Sequence, residues 1–267
     1  MGDVLGQAEF EEILRRVREA MDEIPKQFQR LVDNINSVLD WLPGFLLDRI
    51  REALNGVGDF IGKVLTEIGK FITQPGVPWT LWTHGDSWTN EVGAKASNWQ
   101  DAFSLGALRT DDEWTGAAAT AYKNVLPQQQ KALGAIKSAC DEVDDVLTKM
   151  AIAIGVAWLA VVSAIVSFVV ELTAEAGAAA TGVGAPPAAA AAGVSAAKVW
   201  GIIAAALGVL EAFVASSLLP AIKDLNQRVN SDEGFLRGSW PTLTVDISDS
   251  SHRENQGRNA PWEMSNA

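Results

Sequence analysis

Hydrophobic side chains recur along the first part of the chain at alternating spacings of four and three: Phe10, Leu14, Val17, Met21, Ile24, Phe28, Leu31, Ile35, Val38 and Leu42. A seam of this kind predicts a long helix packed against another. Pro25 falls inside it, and a proline there removes a hydrogen bond and kinks the rod. Pro43-Gly44 breaks the helix, and the seam resumes with Leu47, Ile50, Leu54, Val57, Ile61, Val64, Ile68 and Phe71. Gly56, Gly58, Gly62 and Gly69 weaken this second helix by roughly 1 kcal/mol each against alanine. The run Gln74-Pro75-Gly76-Val77-Pro78 closes the pair, so residues 1–75 read as an amphipathic helix pair.

A second pattern covers residues 79–150. Asp86 or Ser87 suits the N-cap of a helix, and Trp88, Val92, Ala96, Trp99 and Phe103 mark one face after it. A turn is expected over 109–116, followed by a longer helix with Leu133, Ile136, Cys140, Val143, Leu147, Met150 and Ile154 on one side. That stripe enters the next segment without a break, so one continuous rod is expected, bent at most near Pro127. Alternation reappears only at Leu243-Thr-Val-Asp-Ile247, a short strand-like stretch within a polar tail, 223–267, read as irregular.

The pattern changes at 150–222. Residues 150–170, MAIAIGVAWLAVVSAIVSFVV, carry no charge. As a helix they would span ~31 Å, close to the hydrocarbon thickness of a bilayer. A second apolar run, 199–222, carries one charge, Glu211, and an Ala/Gly-rich stretch with Pro186-Pro187 joins the two. Two readings stay open: membrane helices, constitutive or conditional, and the buried hairpin of a soluble bundle. Glu211 weighs against constitutive insertion, because a carboxylate at the bilayer centre costs about 3 kcal/mol on insertion scales. On the membrane reading the contacting side chains are Trp158, Val162, Ile165, Phe168, Trp200, Ile203, Leu207 and Phe213. Core packing accounts for the two tryptophans equally well.

Composition narrows the function classes. The 267 residues hold 33 acids against 21 bases, a net charge of -12, which argues against wholesale phosphate binding, so no nucleic-acid partner is expected. One cysteine, Cys140, excludes an internal disulfide and any multi-cysteine metal site. Only two histidines are present, His84 and His252. The first 30 residues mix charges throughout, so a general secretory signal peptide is not expected.

Catalytic motifs are missing: there is no phosphate-binding glycine loop, HExxH, CxxC or GxSxG. His84-Gly85-Asp86-Ser87 gathers triad residue types side by side, whereas triads assemble from separated positions, so a helix start explains it better. The acidic runs Asp111-Asp112-Glu113 and Asp141-Glu142…Asp144-Asp145 read as solvated faces rather than Ca²⁺ sites. No cofactor or metal is called for, and the protein reads as a non-enzyme.

Trp114-Thr115-Gly116 sits between two helices of comparable size, with Ala117–Ala119 and Tyr122 beyond it. Gly116 allows close backbone approach and Trp114 offers a large ring to plug the hairpin end. Over 79–150 the chain resembles the WXG family of helical-hairpin substrates of ESX (type VII) secretion systems, in the longer actinobacterial form followed by apolar helices. The resemblance implies partners among helical WXG-type proteins or further copies of the chain, contact with the secretion machinery, and delivery to the cell envelope or outside without a signal peptide. The chain departs from the family at its usual export signal, Tyr-x-x-x-Asp/Glu: Tyr122 is followed at the fourth position by Leu126. The fold expected is therefore an elongated all-α bundle of long antiparallel hairpins with an apolar hairpin and an irregular tail. The expected function is helix–helix association, by self-assembly or at a lipid bilayer. A pore-forming protein organised like the cytolysin A type is the alternative.

Overall fold

The computed structural model describes residues 4–41, 43–107, 117–230, 234–235 and 238–242. It is all-α: among the described residues no strand forms beyond an isolated bridge position at Ser239. Helices α1 (Gln7–Asn36) and α2 (Gly44–Thr73) are followed by α3 (Pro78–Ser87), α4 (Ala94–Ala102), α5 (Ala117–Ala179), α6 (Ala185–Phe213) and α7 (Leu219–Val229). Wider, π-type turns at Trp88–Gly93 and Val214–Leu218 join α3 to α4 and α6 to α7. The second lies just before Pro220, whose ring would crowd an ordinary α-helical turn.

These helices fall into two compact units, Met1–Thr83 with Leu147–Leu219, and His84–Val146 with Pro220–Ala267. In the first, the two amphipathic helices and the apolar hairpin share one core. The α1 stripe enters it with Phe10, Leu14, Val17, Ile24, Leu31 and Ile35, and α2 adds Ile50, Val57, Ile61, Val64 and Ile68. The second half of α5 supplies Trp158, Ile165, Phe168 and Leu172, and the first half of α6 supplies small residues from Ala185 to Ala196 and then Val199 and Ile203. Alanines on α6 let it lie close to α2 and α5, while the bulk comes from α1 and α5. Exposed positions of α1 carry Glu12, Arg15 and Glu19, whose carboxylates flank the Arg15 guanidinium. Such exposed, solvent-screened pairs add little to stability and mainly keep that side wet.

Trp158 anchors this core. Its indole Nε1 donates to the Pro75 carbonyl at 2.8 Å, and its ring meets Phe71 and Phe10 edge to face at 5.3 and 5.9 Å. The Pro75-Gly76 corner is thus fixed from α5, and Gly76 takes φ +58° there, a left-handed conformation that favours glycine.

In the second unit, α3–α4 runs antiparallel to the first half of α5. A Cβ on Gly85 would lie 2.5 Å from Asp144 Oδ1 and 3.1 Å from Asp144 Cα, and one on Gly93 would meet Cys140 Cβ at 3.2 Å. Farther along, the Gln130 amide donates to the Gln100 carbonyl at 3.1 Å. Gly85 is therefore a point of backbone approach. Gly85→Ala should destabilise this unit by about 1–3 kcal/mol, since the Asp144 carboxylate must swing aside and the Asp144 backbone behind it, at 3.1 and 3.3 Å, has little room to give. Denaturant unfolding followed by tryptophan fluorescence would measure it.

Several expectations are corrected. The helix expected to begin at Asp86 or Ser87 begins at Pro78; Asp86 instead accepts from the Asn90 amide at 2.8 Å inside a continuous helical path. Proline at the first helical position is a start signal in its own right, because its missing N–H would have no partner there. Pro25 and Pro127, neither of which was expected to end its helix, sit inside α1 and α5. The irregular tail expected from 223 is helical up to Val229. The strand-like stretch 243–247, His252, the acidic run 111–113 and Leu42 lie outside the described residues.

Candidate functional site

The eight apolar residues singled out from the sequence separate into two groups. Trp158, Val162, Ile165, Phe168 and Ile203 are core residues of the first unit, each no more than 5% exposed. Trp200 is 38% exposed and touches Phe60 edge to face at 6.3 Å, while Leu207 and Phe213 are half-buried. Trp114 and Gly116 lie outside the described residues, and Tyr122 is half-buried in the first turns of α5.

What the sequence did not single out is the change of environment along α6. Up to Ile203 one side of the helix is buried; of residues 204–222, none is. Leu207 and Leu210 lean against the core, but Val209, Leu219 and Ile222 are exposed by half or more, and Ala204, Ala205, Gly208, Ala212 and Ala215 are exposed with them. These positions sweep about half the helix circumference at 100° per residue. On α1 the corresponding outer arc is occupied by acids and arginines; on α6 it is apolar, interrupted by Glu211 and by Ser216 and Ser217. The contrast is measurable: the most apolar window of α5 has 50% of its residues buried, that of the Ala185–Arg228 rod 6%. Both helices are long and apolar enough to cross a membrane.

The bare stretch 204–222 would be about 28 Å long, near the thickness of a hydrocarbon core. Lysines stand outside it on both sides, Lys198 and Lys223. Long cationic side chains at such positions reach the headgroup level while their stems stay in apolar surroundings.

Polar groups in the α5–α6 hairpin join its two arms. Ser195 Oγ donates to Glu175 Oε1 at 2.9 Å in a buried setting, and Lys198 Nζ donates to Glu171 Oε1 at 2.8 Å. Asn34 of α1 donates to the Ala176 carbonyl at 2.9 Å at the same level. The second Glu175 oxygen, Oε2, is buried without a hydrogen-bond partner among the described residues. These contacts hold the arms together in water without converging on a space where a substrate could sit.

Among the described residues, two cavities stand out. One of about 600 Å³ lies in the first unit beside Arg49, Glu52, Phe60 and Ala197. The other, about 640 Å³ in the second unit, is lined by Trp88, Val92, Ile136, Cys140 and Phe235, with Lys131 and Arg228. Arg228 is engaged by Asp224 at 3.0 Å and Glu142 at 3.6 Å. No nucleophile–base pair lines either cavity. Among the described residues no group of three or more histidines, cysteines or carboxylates is placed to hold a metal ion.

Fold and surface together define an all-α protein that carries, among the described residues, two helices of membrane-spanning length, one packed in its core and one packed as far as Ile203 and uncovered beyond it. Compared with family models, curated proteins and solved structures, the chain matches none.

Proposed function

We propose that the protein is a non-enzymatic helical protein that works at a lipid bilayer, with the apolar α5–α6 hairpin as its membrane-active element. The bare stretch 204–222 carries the reading. A water-facing arc of a soluble helix is polar because charged side chains there cost nothing and prevent association. An apolar arc of bilayer length, with lysines beyond both ends, suits hydrocarbon on the outside and headgroups at the rims. A single partner helix would cover only a narrow stripe of it.

Dye release from liposomes tests the proposal. Wild-type protein should release dye, and Val209→Asp should reduce release at least tenfold, roughly the effect of one carboxylate costing ~2–3 kcal/mol in the hydrocarbon. Because Val209 is 65% exposed, its substitution leaves the water-soluble fold within about 0.5 kcal/mol of wild type. A wild-type protein that neither releases dye nor floats with liposomes of any lipid charge rejects the reading.

Delivery by a type VII apparatus, as a WXG-type helical hairpin, is a second and compatible reading. It is favoured by the antiparallel pairing of α3–α4 with α5 and by the close approaches at Gly85 and Gly93. Export that persists after deletion of that apparatus in the producing cell would remove it.

A further inference from the structure

Glu211 is the one charge within the bare stretch, and its placement carries information. It stands midway between Lys198 and Lys223, about 19 Å along the helix from each. In a bilayer that spacing puts both lysines at the interfaces and the carboxylate at the midplane. Ionisable side chains at that depth face a bundle interior or a water-filled path, since hydrocarbon cannot solvate them.

The side of the helix that Glu211 occupies says what else would lie on that interior. Ala197, Gly201, Ala204, Gly208, Glu211 and Ala215 follow one another at spacings of four and three, all exposed. A Cβ placed on Gly201 or Gly208 would meet nothing within 4 Å. The larger side chains Ile202, Val209 and Phe213 occupy the other side, where lipid would be. Small residues on one side allow helices of separate copies to approach closely, and the carboxylate would then recur once per copy at one depth. Rings of carboxylates at a constriction favour cations over anions.

We infer that, in the inserted protein, Glu211 side chains from several copies of this chain line a water-filled path at mid-bilayer and make it conduct cations in preference to anions. The inference rests on the membrane reading above and adds to it an assembly, a permeant class and the residue that selects it.

Planar bilayer recordings of the full-length chain across a KCl gradient test it. Wild type should conduct with a reversal potential displaced toward that of K⁺. Glu211→Gln should still conduct, with the reversal potential moved to zero, and Glu211→Lys should displace it toward that of Cl⁻. Dye release by each variant, measured in parallel, reports insertion independently of selectivity. Conductance without cation preference, a preference unchanged in Glu211→Gln, or insertion with no conductance each overturns the inference and leaves the membrane reading standing. Absence of both conductance and dye release from wild type overturns the two together.

Discussion

Replacing Ile165 by aspartate should abolish the cooperative fold of the first unit, whereas the same replacement at Val209 should leave it intact. Ile165 is fully buried on α5, in the cluster that also holds Phe168 and the Phe60 ring packed on it, Phe60 lying 5.9 Å from Phe168. Among the described residues no lysine or arginine is buried. An aspartate there faces burial without a partner, a defect that costs more than about 4 kcal/mol, against the roughly 5–15 kcal/mol that holds a domain together. Val209 lies on the bare arc of α6, where a carboxylate remains in water. Circular dichroism melts separate the two: Ile165→Asp should lose its transition or shift it by tens of degrees, and Val209→Asp should match wild type. Equal melts for both would mean that α5 is not held in the core described. Charged substitutions at Val162 or Ile165 therefore do not isolate membrane insertion, because they damage the water-soluble fold first; Val209 does.

The second large effect is expected at Trp158. Truncation to alanine removes the ring between Phe10 and Phe71 and leaves the Pro75 carbonyl without its indole donor. The loss should be about 3–5 kcal/mol, mostly from the cavity left by the ring. Trp158→Phe retains much of the ring volume but not the N–H, so it should lose about 1–3 kcal/mol. Urea titration of both variants orders the contributions. A Phe variant as unstable as the Ala variant would assign most of the effect to the hydrogen bond at the Pro75-Gly76 corner rather than to packing.

The helical seams of α1 and α2 were legible because the arithmetic of a helix leaves little freedom: once apolar residues recur every three or four positions, one face must be buried. Phe10, Val17, Leu31 and Ile61 fall where that arithmetic puts them. The helix start near residue 86 misled because Asp-Ser resembles a cap, while the reason for Gly85 is a partner, Asp144, distant in sequence. A local pattern contains no trace of such an approach. Likewise, 150–170 and 199–222 look alike as strings of apolar residues. Nothing local distinguishes the one that fills a core from the one left uncovered, although the loss of a buried side after Ile203 becomes plain once α2 is placed along α6.

Read without coordinates, the chain is already helical, with two amphipathic and two apolar helices and with Glu211 alone between two lysines. Those are properties of spacing and composition, and short-range backbone geometry enforces them. That Trp158, Ile165 and Phe168 form the centre of a core, and that 204–222 stays bare, became visible in three dimensions. Burial depends on which surfaces meet, and there were enough apolar faces on α1 and α2 to cover α5 and the first half of α6 but not the rest.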